Sequence, residues 1–306
     1  MSPVRIAVSV CTFRRNELLA SFIERIVEIG RRSDRYQLAL VVVDDNPGGD
    51  AKPVVDRHVD DFPLGVHYRR AGFGNISVCR NLLLDTAVEV ADLLVMTDDD
   101  CLPELDWIDR LLDVRDATGA DAVSGQLTHV FPPDAPRWLT EQSIFDFAAV
   151  HEADGAPLAT AQTNNCLIDV AWLRAHPEHR FDPEYGVTGG EDMVFFRGAV
   201  DQGLRVVHSA HARVTQIEPI EELSLPKVTR LSYWLGNSEA LTNLVRGEAT
   251  RLRLLLRAAR RLVRAIARPV QRMARRRAPH LRHTVVHAAG AIGMVTGAAG
   301  VRARHH

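Results

Sequence analysis

The sequence is short of cysteine, and its four thiols, Cys11, Cys79, Cys101 and Cys166, form no CxxC pair. No His/Cys cluster has zinc-site spacing, so a structural zinc module is excluded and free thiols in a reducing compartment are expected. Nowhere does an apolar run reach the ~20 residues that span a bilayer. Arg5 is followed by a short strand pattern, not a long apolar segment, so no secretory leader is expected and the cytoplasm is the expected location. Internal repeats are absent. From Ala249 onward there is no Asp, Glu or Lys, only 14 Arg. Residues 1–248 are left with 23 basic and 39 acidic side chains, so the overall net charge of -2 conceals a strongly acidic body and a basic tail. The first suits a cation, the second an anionic surface.

What is present is the composition of a folded protein, with 46% apolar and 25% charged residues. The first 125 residues alternate between two patterns. Val4–Val10, Leu38–Val43, Val66–Tyr68, Leu93–Met96 and Ala120–Ser124 are short apolar runs. Asn16–Ile29, Ile76–Val90 and Leu105–Ala117 carry apolar residues at helical spacing. Continuous apolar strands are buried on both faces, which implies a mostly parallel sheet with helical crossovers, an α/β Rossmann-like fold. In such sheets ligands sit beyond the carboxyl ends of the strands. Residues 126–190 are proline-rich and irregular. Helical spacing returns at Met193–Gln202, after which Leu204–His208 reads as a short strand. Leu223–Val245 and Arg251–Ala267 read as helices, and the Ala/Gly-rich Val285–Val301 suits a terminal helix.

Two of the apolar runs stop abruptly in acids. Asp98-Asp99-Asp100 follows Leu93–Met96; three like charges in a row raise one another's pKa and call for a counter-charge, which a hard divalent cation would supply. The competing reading is a solvated acidic turn, with Pro103 suited to a helix's first turn. Asp44-Asp45 follows Leu38–Val43, placed to accept from a ribose or a base N–H; alternatively it begins an Asx turn through Asn46-Pro47-Gly48. Glu191-Asp192, after Thr188-Gly189-Gly190, sits where a helix dipole favours negative charge, and could simply cap that helix.

Taken together and in order, six segments resemble the family 2 glycosyltransferases of GT-A fold. They are Val8-Ser9-Val10-Cys11-Thr12-Phe13, Val41-Val42-Val43-Asp44-Asp45-Asn46, Ile76-Ser77-Val78-Cys79-Arg80-Asn81, Thr97-Asp98-Asp99-Asp100-Cys101-Leu102-Pro103, Asn164-Asn165-Cys166-Leu167-Ile168, and Phe181-Asp182 through Gly189-Gly190-Glu191-Asp192. The resemblance covers roughly residues 4–217. It implies an inverting, nucleotide-sugar-dependent transferase using Mn²⁺ or Mg²⁺. By position it assigns Asp45, with Asp44, to the nucleoside, Thr12 to the loop beside the base and Arg80 to the nucleotide side of the cleft. Asp98 and Asp100 match the DxD signature, with Asp98, Asp99 and Asp100 shared between metal and ribose. Asp192 matches the general base, with Glu191 its neighbour. One departure stands out: relatives often carry a metal-binding His where Thr215 or Gln216 falls here, and His211, or His208, could take its place only if the loop is shifted.

The expected partners are a nucleotide diphosphate sugar, a UDP-sugar first, and a hydroxyl-bearing acceptor: saccharide, lipid-linked or natural product. Processive synthases of the family carry membrane spans and Q-x-x-R-W; neither is present, so one sugar per acceptor is expected. Trp138 and the Phe145–Phe147 region are read as the acceptor side, Trp138 either stacking on a sugar or packing in a core. The division expected is 1–220 for the transferase domain, with 1–125 binding the donor and 126–220 completing catalysis, and 221–306 for a helical Arg-rich extension. Leucines among the arginines of 251–282 read as a helix on an anionic membrane surface, making the protein peripheral on the inner face. Packing on the acidic body, a dimer contact or, least favoured, nucleic acid are the alternatives. Two other functions compete. A nucleotidyltransferase would show a glycine-rich phosphate loop, and Cys11-Thr12-Phe13-Arg14-Arg15 has no glycine. An inactive carbohydrate-binding relative would have lost the acids, and they are intact.

Overall fold

The computed structural model describes residues 3–140, 153–274, 276 and 279–304. The strands are β1 (Val4–Thr12), β2 (Tyr36–Asp44), β3 (Val66–Arg70), β4 (Leu93–Asp98), β5 (Cys101–Pro103), β6 (Ala122–Val130), β7 (Pro157–Leu158), β8 (Asn165–Asp169) and β9 (Val206–Ile217). The helices are α1 (Asn16–Gly30), α2 (Lys52–Val55), α3 (Ile76–Val90), α4 (Trp107–Thr118), α5 (Arg137–Thr140), α6 (Val170–Ala175), α7 (Glu191–Asp201), α8 (Leu225–Val245), α9 (Arg251–Ala274) and α10 (Leu281–Ala298). No helix among the described residues is long and apolar enough to cross a membrane.

Two compact units result. The first holds the sheet and comprises residues 3–129, 153–186 and Glu191–Ile217; the second comprises 130–140, 187–190 and the described residues from 218 onward. The second therefore takes in more chain than the C-terminal extension expected from the sequence.

In the first unit one nine-stranded sheet runs β3-β2-β1-β4-β8-β6-β9-β5, with β7 on β9. The half β3-β2-β1-β4 is parallel, and β8 turns the direction by pairing antiparallel with β4. Successive residues of the parallel strands are buried on opposite faces. Ile6, Val8 and Val10, with Leu40 and Val42, pack under α1 and α4 against Phe22, Ile26 and Trp107. Ala7, Val41, Val43 and Met96 pack on the other face against Leu83 and Leu84 of α3 and Phe195 and Phe196 of α7. This is why the runs are apolar throughout: a strand with helices on both sides has no solvent face.

The second unit is helical. α8 and α10 approach closely enough that glycine is required at the crossing: a Cβ on Gly293 would lie 1.9 Å from the Tyr233 carbonyl oxygen, and one on Gly236 2.0 Å from that of Gly290. Polar side chains close the pair, with Ser232 Oγ donating to Val286 O at 2.8 Å and Asn237 Nδ2 to Thr296 Oγ1 at 3.0 Å. α9 lies on this pair through Leu254 and Ala258, which pack with Ala240, Met294 and Ala298. Trp138, half-buried, packs against the cluster of Leu139, Leu223 and Val286, with the Arg282 guanidinium 5.7 Å over its ring. Phe145–Phe147 lie outside the described residues.

Candidate active site

The parallel register sets the acids. Thr12 pairs with Asp44 and Cys11 with Asp98, so β2, β1 and β4 end on one line. With strands about 4.8 Å apart, these three ends fall within about 10 Å of one another. β4 then makes a turn through Asp99-Asp100 into β5, whose Cys101 pairs with Gln216 of β9.

All three aspartates of that turn meet a partner within the chain, and Asp99 and Asp100 share one. Thr12 Oγ1 donates to Asp99 Oδ2 at 2.7 Å. A single Arg15 nitrogen, Nη1, lies 3.1 Å from Asp99 Oδ1 and 3.0 Å from Asp100 Oδ2. Arg80 Nη2 stands 3.6 Å from Asp98 Oδ1. The counter-charge that the sequence assigned to a cation alone is thus supplied in part by the chain itself. Arg15 is the member of this charged cluster that motif reading missed; the signal was an arginine pair just after a strand in an otherwise acidic unit.

Arg80 joins this turn to the second acid pair. It is buried, and its Nη1 donates to Glu191 Oε1 at the start of α7. Burial would lower its pKa, yet Glu191, Asp98 and Asp192 together hold it above the usual guanidinium value. The segment that delivers Glu191 and Asp192 is fixed by the same helix. Asn81 and Phe181 exchange two hydrogen bonds, Nδ2 to carbonyl at 2.8 Å and backbone N–H to Oδ1 at 2.9 Å. Asn75, which caps α3, donates to Pro183 O at 3.0 Å. At Gly186 any side chain would collide with Asn75, since a Cβ would sit 1.8 Å from its Oδ1.

Asp192 accepts from Met193 N at 2.7 Å. Desolvation first, then the neighbouring Glu191 charge, push its carboxyl up to about 6 against the opposing pull of Arg80. Desolvation likewise raises Asp98, with Asp100 and Glu191 adding to it and Arg80 opposing. It also raises Asp99, where the Thr12 hydrogen bond and Arg15 act the other way.

Asp98, Asp100 and Cys101 present ligand atoms that all lie within 4.8 Å of one another, the one such group of three or more among the described residues. Burial holds the Cys101 thiol well above its ordinary pKa, so it stays protonated and is a poor ligand. Two carboxylates remain, the oxygen donors a hard cation such as Mg²⁺ takes while leaving positions for phosphate oxygens. The donor set fits such an ion. His211 does not join it. Its side chain is exposed and 3.9 Å from Asp154, five residues along β9 from Gln216, or ~16 Å of strand. The residue beside Asp100 is Gln216, its Nε2 3.5 Å from Oδ2. His208 is wholly buried on β9 and also stands outside the group.

At the end of β2, Asp44 makes the Asx turn that the sequence offers as the alternative to a nucleoside contact. Asp44 is fully buried, and its carboxylate accepts from Asn46 N at 2.8 Å, Ala51 N at 3.1 Å and Tyr68 Oη at 2.9 Å. It shapes the turn and presents no open edge to a ligand. Asp45 accepts from the backbone N–H of Phe73, Gly74 and Asn75 at 2.7–3.1 Å, tying the end of β2 to the loop before α3.

The model of the family described as glycosyl transferase family 2 matches residues 7–176. The succinoglycan biosynthesis protein ExoM of Rhizobium meliloti (strain 1021) is 31% identical over 237 residues, 77% of this chain and 74% of that protein. Among solved structures, S. aureus TarS 1-349 in complex with UDP-GlcNAc superposes with a TM-score of 0.55 at 14% identity, covering 76% of this chain and 66% of that one. The chain spans 65% of the same TarS fragment in its structure without the nucleotide sugar. The mannosyltransferase PcManGT from Pyrobaculum calidifontis, in complex with GDP-Man and Mn²⁺, gives 0.58 at 16% identity over 97% of this chain and 74% of that one. At those identities the structural likeness shows a shared GT-A fold.

Proposed function

Because the chain belongs to glycosyl transferase family 2, and is therefore a glycosyltransferase, we propose that it moves one sugar from a nucleoside diphosphate to an acceptor hydroxyl, with inversion at the anomeric carbon. The observation that carries this reading is Arg80, which touches Glu191 with one nitrogen and stands beside Asp98 with another. Through it, the acids suited to a diphosphate and its cation neighbour an acid suited to accept a proton.

In the proposed reaction Asp192 takes the proton of the acceptor hydroxyl as that oxygen bonds to the anomeric carbon. The bond from that carbon to the diphosphate breaks, and the nucleoside diphosphate leaves with the electron pair. A carboxyl poised at about 6 is half ionised near there and fully so above, as a general base working close to neutrality requires. Glu191 stays paired to Arg80, which fixes the start of α7 and so the position of Asp192. Asp98 and Asp100 would hold Mn²⁺ or Mg²⁺, which when bound supplies Lewis-acid neutralisation of charge on the leaving diphosphate. Arg15 is placed to share that charge on the other side of Asp100. Thr12, through Asp99, fixes the far side of the acidic turn. Asp45 is the remaining acid suited to the nucleoside, and residues 1–125 as a whole are proposed to bind the donor.

The relatives' ligands support a nucleotide sugar, with UDP-sugars tried first, since the neighbours were solved with UDP-GlcNAc and GDP-Man. The relative named for succinoglycan biosynthesis supports a saccharide-bearing acceptor. The test is nucleoside diphosphate release from UDP-, GDP- and dTDP-sugars with Mn²⁺ or Mg²⁺ and saccharide acceptors, followed by NMR of the product's anomeric coupling. A product that keeps the donor's anomeric configuration overturns the single displacement.

A further inference from the structure

Helix α9 is the most polarised surface in the second unit, and its partner can be read from three sectors of its circumference. At about 100° per residue, Leu254, Ala258 and Ala265 fall on one side, and all three are buried. Leu252, Leu256, Val263, Ile266, Val270 and Met273 fall together on a second sector, each 51–67% exposed. Arg253, Arg257, Arg260, Arg264 and Arg268 fill the third, all exposed. The packing of α9 on its own unit therefore uses a narrow edge, Leu254 followed by Ala258, Ala265 and Pro269, and leaves a broad aliphatic stripe, flanked along its length by guanidinium groups, facing outward. Scattered exposed aliphatics need no explanation, but a contiguous stripe of them does.

We propose that this face docks on an anionic phospholipid bilayer, lying in the interface with the aliphatic stripe among the acyl chains and the arginines at the headgroup phosphates. Charge and shape choose this occupant. The chain from Ala249 onward contains no Asp, Glu or Lys, so a second copy of the helix would set like charge against like. A nucleic-acid backbone would satisfy the arginines and leave the stripe in water. An anionic bilayer satisfies both at once, and a basic helix with a large aliphatic face has the form of known interfacial helices. The proposal does not depend on which sugar or acceptor the first unit uses.

The experiment is co-sedimentation of the full chain with vesicles of phosphatidylglycerol and phosphatidylcholine, against pure phosphatidylcholine, with and without 0.5 M NaCl. Two variants accompany it: Leu252→Ser/Val263→Ser/Ile266→Ser on the stripe, and Arg253→Gln/Arg257→Gln/Arg260→Gln/Arg264→Gln on its flank. All seven residues are exposed, so the melting temperature should match the unaltered chain and show that both variants fold. The expected result is binding to the anionic vesicles at least tenfold tighter than to the neutral ones, weakened by salt. The stripe variant should lose at least tenfold, and the arginine variant should lose the preference for anionic lipid. Equal affinity of the stripe variant and the unaltered chain overturns the proposal. So does failure of the unaltered chain to bind anionic vesicles, whether it then forms a dimer that the stripe variant abolishes or binds duplex DNA.

Discussion

Arg80 and Glu191, 111 residues apart in the chain, form a buried ion pair, and the other arm of the same guanidinium stands 3.6 Å from Asp98. Breaking such a pair from one side leaves an uncompensated charge, which costs about 3–5 kcal/mol. Arg80→Ala should therefore destabilise the protein by that order in urea unfolding. Replacing both partners removes the Glu191 charge and leaves only Asp98 without its guanidinium, so Arg80→Leu/Glu191→Leu should recover part of the loss without recovering sugar transfer. A double variant no more stable than Arg80→Ala would show that the pair does not hold α7.

Asp192 ties acidity to activity. With its carboxyl held at about 6, kcat/KM should climb as pH rises through that value, because only the ionised form accepts a proton. Asp192→Asn should remove this limb and lower turnover ~10²–10⁴-fold, the usual share of a general base, while donor affinity stays within a few-fold. The sign for stability is opposite. A carboxyl whose folded pKa lies above the ordinary 3.8 makes the folded state bind a proton that the unfolded chain has already released. Stability falls as pH rises from about 4 to about 6 and is flat beyond. The interval is worth about 3 kcal/mol at most, reduced by solvent screening to on the order of 1 kcal/mol. The Asn variant should thus be slower in turnover yet slightly more stable at pH 8, and no more stable at pH 4, as read by thermal unfolding in the two buffers.

The sheet edge is legible in the sequence because β1, β2 and β4 are buried on both faces and end in polar residues, so the apolar runs and their stops mark strand and cleft together. Helical spacing over Ile76–Val90 coincides with the observed limits of α3. The antiparallel half is not legible in this way. β9 runs from Val206 to Ile217, well past the expected His208, because its outer half alternates with exposed polar residues such as His211 and Arg213. β8 and α6 lie hidden in a proline-rich stretch, and α9 continues through Pro269 to Ala274, beyond the Ala267 expected. The motifs bring Asp98, Asp100, Glu191 and Asp192 to one neighbourhood. The Asx turn at Asn46 is readable as an alternative, but spacing could not tell that Asp44 also takes Ala51 and Tyr68, or that Arg15 reaches back to Asp99 and Asp100. Those are contacts of side-chain direction, and a linear pattern does not carry direction.

The acidic turn should respond to metal in two separable ways. Asp100→Ala removes one of the two carboxylates proposed to hold the cation and one partner of Arg15. Calorimetry with a UDP-sugar should show that the Mn²⁺-dependent gain in donor affinity drops at least tenfold while metal-free binding changes little. Loss of both in parallel would mean that Asp100 supports the fold of the turn and not the ion. His211→Ala should leave both quantities unchanged, since that side chain lies far along β9 beside Asp154.

The α8–α10 crossing offers a test that touches no acid of the site. Gly293 has no room for a methyl, which would overlap the Tyr233 carbonyl at 1.9 Å, and that neighbour is backbone that cannot rotate away. Gly293→Ala should cost about 1–3 kcal/mol by forcing the helices apart. Gly247 is the control, because it has a φ of +67° and nothing lies within 4 Å of the place a methyl would take. There an alanine meets only backbone strain, about 1 kcal/mol. Thermal unfolding should rank Gly293→Ala below Gly247→Ala. The reverse order would mean that the two helices tolerate separation, and that their glycines are present for some reason other than close approach.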